Sequence, residues 1–146
     1  MFTVAETVSI ARSPQDVFDF LTDGRNRPQW DTTVISEEVT SDGPVGVGST
    51  IHTRMLAMGR EVDFDWRVTA FEAPTRMSIV STAGMLPTSL TFDFSPSGES
   101  CIATATIQGD PPGMLRFVEP MIAGGVRSTL ATGLARAKAV LESPAE

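Results

Sequence analysis

The chain has 146 residues, of which 18 are acidic and 11 basic, for a formal charge of −7 with its one histidine neutral. That length fits a single domain, 1–146, with a core that needs no covalent staples. The acidic balance, with no basic stripe, argues against nucleic acid and anionic membranes as partners. A lone cysteine, Cys101, excludes an intramolecular disulfide and multi-cysteine metal sites.

Phe2, Val4, Val8 and Ile10 recur at even positions, interrupted only by Glu6, and predict a first strand over 2–10. Ser13-Pro14 with Asp16 is a helix start: a hydroxyl cap, proline in the first turn and an acid near the positive end. Val17, Phe18 and Leu21 give that helix one apolar face, Gly24 stops it, and Arg25 to Trp30 form a second short helix or turn. From residue 33 the period becomes two. Strands are expected at 33–41, 48–57, 60–72, 76–83, 88–95 and 100–108, separated by short turn-forming segments such as DGPVGVG and SPSGE. Such links leave no space for crossover helices, so the strands form an antiparallel meander. After Asp110-Pro111-Pro112-Gly113 comes a short opening over 114–119, with Pro120 kinking or restarting the element. Ile122, Val126, Leu130, Leu134, Ala137 and Leu141 then define a helix over 121–142, about 33 Å long, with Pro144 beyond its end.

A long amphipathic helix needs an apolar surface, and an antiparallel sheet with one buried face supplies it. The expected fold class is α+β: a curved antiparallel sheet of about seven strands wrapped around the C-terminal helix, with two short helices after the first strand. No segment reaches transmembrane length and the amino terminus carries no signal-like apolar run, so a cytoplasmic location is expected.

The run SPQDVFDFLTDGRNRPQWD, from Ser13 to Asp31, resembles the opening segment of the polyketide cyclase/dehydrase-like branch of the START-related superfamily, which has the helix-grip fold. The likeness extends to Gly46-Val47-Gly48-Ser49, to the Val62-Phe64-Trp66-Val68 alternation ending in Phe71-Glu72-Ala73-Pro74, and to the closing helix. It implies a cavity between sheet and helix for an apolar or aromatic small molecule. Superfamily members include lipid carriers, receptors, cyclases and dehydratases, so the fold narrows function only weakly.

In Arg60 to Val68 the odd positions Glu61, Asp63, Asp65 and Arg67 share one face and Val62, Phe64, Trp66 and Val68 the other. The charged face reads as a solvated convex surface, because burying it carries a large desolvation cost. The apolar face supplies pocket residues. Expected ligand-binding residues are Trp30, Phe64, Trp66, Met77, Met85, Phe92, Phe94, Phe117, Met121 and Gly125. Flexible thioethers suit an adaptable cavity, and the Gly124-Gly125 pair either packs closely against a strand or leaves room beside the helix.

His52 is the one side chain whose ordinary pKa lies near neutrality. Pointing inward it would shuttle a proton, with Arg54 steadying enolate charge; pointing outward it is a surface residue. Arg25 and Arg27, close to Trp30, are candidates for orienting an anionic or phenolic ligand, or are solvated charges. Arg127 lies at the edge of the helix stripe. Cys101 reads as a small buried hydrophobe. No zinc spacing is present, and no metal or cofactor is expected. Three functions follow: a binding or transport module for a hydrophobic or aromatic small molecule, a cyclase or dehydratase working by cavity shape and a histidine, and a protein-interaction subunit with a filled interior.

Overall fold

Phe2–Ile10 forms strand β1, and Ser13 then caps helix α1 (Pro14–Thr22) by accepting the Asp16 N–H at 3.2 Å. The computed structural model describes residues 1–143; the expected position of Pro144 lies outside them. A 3-10 turn at Gly24–Asn26 leads into the four-residue helix α2 (Arg27–Trp30). Six strands follow: β2 (Val34–Val39), β3 (Thr50–Ala57), β4 (Arg60–Glu72), β5 (Arg76–Ala83), β6 (Thr88–Ser97) and β7 (Ser100–Gly109). A second 3-10 segment (Gly113–Val118) opens helix α3 (Glu119–Glu142). Pro120 stands in the first turn of α3, where its missing N–H has no intrahelical partner to lose, so it starts the helix without kinking it.

All seven strands make one antiparallel sheet in the order β1-β7-β6-β5-β4-β3-β2. The meander is continuous from β2 to β7, and β1 closes on β7 with Val4 opposite Ile107 and Ile10 opposite Cys101. Three register shifts alter the alternation. One between Val34 and Ser36 lets Val34 and Glu37 face the same side, and one between Val68 and Ala70 turns Phe71 inward against Phe18, ring centroids 5.4 Å apart. The third lies between Asp65 and Trp66.

The concave face carries the core. Val4 and Ile10 from β1, Cys101, Ala103 and Ala105 from β7, Val17 and Phe18 from α1, and Leu130, Leu134 and Ala137 from α3 are buried together. Gly133 lets α3 approach α2 at Trp30: a Cβ there would meet an indole carbon at 3.0 Å and the Trp30 carbonyl oxygen at 3.1 Å. Polar clamps hold the same half of α3. Arg12 donates to the Leu141 carbonyl at 2.8 Å, Lys138 to the Ser9 carbonyl at 2.7 Å, and the Ala11 N–H to Glu142 at 2.8 Å. Glu6, the residue that broke the β1 alternation, meets Arg127 of α3 at 3.4 Å.

Candidate functional site

Residual exposure divides the interior in two. Where β1 and β7 meet α3, Val4, Ile10, Cys101, Ala103, Ala105 and Ala137 keep between 0 and 1% of their surface. On the concave wall of β3 to β6, Ile51, Phe64, Trp66, Met77, Ile79, Leu90 and Phe92 keep between 4 and 8%. The division is not complete: Val68 of β4 keeps 1%, and Leu130 and Leu141 of α3 keep 4 and 9%. A small void of about 20 Å³, room for one water, lies in the second half among Leu21, Thr22, Arg27, Glu37, Ile51, Met77, Ile79, Leu90 and Phe92.

The helix follows the same division. Every buried residue of α3 lies at Leu130 or beyond, whereas in its first half Ala123 and Val126 pack only partly against the core. At Gly124 and Gly125 a Cβ would find no atom within 4 Å. Met114, Phe117 and Met121 at this end are 83, 86 and 75% exposed.

A polar chain reaches the void at Glu37 and Arg27. Trp66 donates its indole N–H to the Thr53 hydroxyl at 3.1 Å, and Thr53 donates to Glu37 Oε1 at 2.7 Å. Arg27 reaches Asp31 Oδ2 through Nη2 at 3.3 Å, while its Nη1 stands 3.7 Å from Glu37 Oε1. The Arg27 guanidinium carbon lies 4.6 Å from the Trp30 ring centroid, within cation–π range. Asp31 accepts from both the backbone and the hydroxyl of Thr33, at 3.0 and 2.6 Å, which fixes its carboxylate toward Arg27. Trp30 Nε1 is the one buried side-chain polar atom among the described residues without a hydrogen-bond partner.

Of the expected ligand-binding residues, Trp30, Phe64, Trp66, Met77, Phe92 and Phe94 stand together in the interior, with Met85 partly buried against them. Phe64 stacks on Trp66 at 5.3 Å and passes over Gly84, where φ is +153° and a Cβ would strike the Phe64 ring. Phe117, Met121 and Gly125 do not line this space. They lie on the half of α3 and its lead-in that the sheet does not cover; helical spacing gives the stripe but not how much of it finds a partner.

His52 and Arg54 project from the outer face, opposite the apolar wall. In the β3–β4 register His52 faces Asp65 and Arg54 faces Asp63. The imidazole bridges the two acids, Nδ1 to Asp65 at 2.7 Å and Nε2 to Asp63 at 3.1 Å, and these contacts, Asp65 foremost, raise its pKa above the ordinary histidine value. With the sheet between them and the interior, His52 has no path for proton transfer to a molecule held there. Arg25 pairs with Asp23 at 2.8 Å and is exposed. Burial pushes the Cys101 thiol up, as expected of a packing residue. A larger, open groove of about 360 Å³ on the outer surface contains the Arg76–Asp93 pair at 2.7 Å and does not connect these groups to the void's lining. Among the described residues no group of three or more potential ligands is placed to hold a metal, and no helix is long and apolar enough to cross a membrane.

Glu37 is the interior polar residue that strand alternation missed; Thr53 shares the Ile51 face of β3, and Asp31 lies outside the strands at the end of α2. The adjacent apolar pair Val34-Ile35 was the available signal, since two apolar residues in succession on a half-buried strand mark a bulge that reverses inward and outward thereafter.

The architecture recurs in solved structures. The protein TTHA0849 from Thermus thermophilus superposes with a TM-score of 0.83 at 17% identity, covering 96% of this chain and 97% of that one. A START superfamily protein from Mycobacterium smegmatis gives 0.77 at 19% identity, with 96 and 97% covered. Major latex-like protein 151 from Panax ginseng gives 0.77 at 10% identity, with 97 and 98% covered. No curated protein matches the chain in sequence. The profile described as "Polyketide cyclase / dehydrase and lipid transport" matches residues 1–142, and the chain belongs to that family, with the curled sheet and terminal helix of the helix-grip fold.

Proposed function

We propose that the protein binds a hydrophobic or aromatic small molecule between the β3–β6 wall and the first half of α3. The observation that carries this reading is the void beside Met77, Ile79, Leu90 and Phe92, together with a first half of α3 that holds no buried residue before Leu130. The family's description, which joins cyclase, dehydrase and lipid transport, agrees with an apolar cargo.

A ring-sized ligand exceeds the void, so binding displaces side chains. Met77 and Met85, unbranched and adaptable, move at the least cost. The first half of α3, without buried anchors, moves next. Affinity is then reduced by the fraction of molecules in the open arrangement. Apolar transfer supplies about 25 cal/mol per Å² of ligand surface removed from water.

Equilibrium dialysis of naphthalene against the wild-type chain and an Ile79→Phe variant tests this. Saturable binding in the wild type, with loss in a variant that retains its circular dichroism spectrum, is the expected result. Absence of saturable binding to the wild type overturns it.

A second reading, a protein-interaction subunit, is favoured by the smallness of the void together with the exposed Met114, Phe117 and Met121. It predicts a Phe117-dependent change of oligomeric state or partner binding with no uptake of naphthalene.

A further inference from the structure

The 3.7 Å between Arg27 Nη1 and Glu37 Oε1 is too long for a direct hydrogen bond, although both side chains are largely withdrawn from solvent. Such a gap between buried polar partners asks for a bridging atom. Both residues line the one-water void. An oxygen placed beside the pair would lie about 2.8 Å from each, accepting from the guanidinium and donating to the carboxylate. A water can do this in the free protein; a hydroxyl group does the same and brings an apolar body with it.

Formal charge selects the kind of oxygen. Arg27 faces two carboxylates, Asp31 and Glu37, so the cluster carries one excess negative charge. A ligand carboxylate would add a second in a poorly solvated site, whereas a neutral hydroxyl adds none. Glu37 is held by the Thr53 hydroxyl and Arg27 by Asp31 and the Trp30 face, so the two walls are fixed before a ligand arrives.

We propose that Arg27 and Glu37 form a recognition site for a single neutral hydroxyl, an alcohol, phenol or enol, on the apolar ligand. The assignment rests on the binding reading above and adds the ligand's polar group to it.

The test compares naphthalene, 2-naphthol and 2-naphthoate by equilibrium dialysis on the wild-type chain and on Glu37→Gln. Expected is 2-naphthol about tenfold or more tighter than naphthalene, because a hydrogen bond to a charged group is gained. The naphthoate is expected to bind no better than naphthalene. Glu37→Gln is expected to shrink the naphthol preference and strengthen naphthoate relative to naphthalene. Equal binding of naphthalene and 2-naphthol, or tightest binding of 2-naphthoate, overturns the hydroxyl site while leaving apolar binding intact. Failure of all three probes to bind removes the binding reading itself, and the hydroxyl site with it. The wild-type comparison decides the matter even if the variant does not fold.

Discussion

Trp66 and Thr53 are joined across the β3–β4 pair by an indole N–H donated to a hydroxyl at 3.1 Å, and both groups are buried. The bond links the aromatic wall to the acid, because the same hydroxyl donates its proton to Glu37. Thr53→Val preserves shape and removes both bonds, leaving the indole donor unpaired and Glu37 with only the 3.7 Å approach of Arg27. It is expected to cost about 1–3 kcal/mol in urea unfolding, while Thr53→Ser recovers most of the loss. Equal stabilities of the Val and Ser variants would contradict the bonding.

His52 gives the outer face a pH dependence. Its folded-state pKa is raised above the ordinary value, chiefly by the hydrogen bond to Asp65. The contribution is therefore complete below the unfolded-state pKa near 6.5 and is lost as pH rises through the folded value. Thermal midpoints of wild type and His52→Gln, followed from about pH 5 to 9, are expected to differ most at the acid end and converge above neutrality. Added salt narrows the acid-end gap, since the group is solvent-accessible. Naphthalene binding is expected to be the same in both proteins.

Much of the scaffold was legible in the sequence because its signals are local. Strands β4 and β5 begin and end where the alternation and turn residues put them, and Ser13 caps α1 as its position before Pro14 implied. β3 starts two residues late because Gly46 to Ser49 turn back on themselves, the Ser49 N–H bonding the Gly46 carbonyl. β6 runs on through Pro96, which pairs with Cys101 at the hairpin end next to the Gly98 turn. The site was legible only on its apolar side. Phe64 and Trp66 follow from period two, but Glu37 enters through a bulge and meets Arg27 from a segment ten residues earlier. That pairing depends on where α2 settles against the sheet edge, which no local pattern encodes.

Gly124 and Gly125 are open to substitution. Neither has a positive φ, and a Cβ at either touches nothing within 4 Å. Alanine at each is expected to raise stability by about 0.4–1 kcal/mol by reducing the freedom of the unfolded chain. A higher thermal midpoint in the double variant checks this. Slower uptake of naphthalene by that variant, with the wild-type end point, is expected if this half of α3 moves to admit ligand.

Cys101 has no exposed surface, and burial holds its thiol above the ordinary value, away from the reactive thiolate. A thiol reagent at neutral pH is expected to leave the folded chain unlabelled and to react fully in denaturant. Labelling of the folded protein at the rate of a free thiol would contradict that packing.

The position of the void separates two kinds of change. β1, β7, α1 and the second half of α3 fix the shape of the molecule through a tightly packed core, and polar contacts from Ala11, Arg12, Arg136 and Lys138 staple α3 there. The β3–β6 wall sets the volume and chemistry of what is enclosed. Substitutions at Ile79, Leu90 or Met77 therefore change the size and lining of the void from a single wall, while the frame of the molecule stays standing.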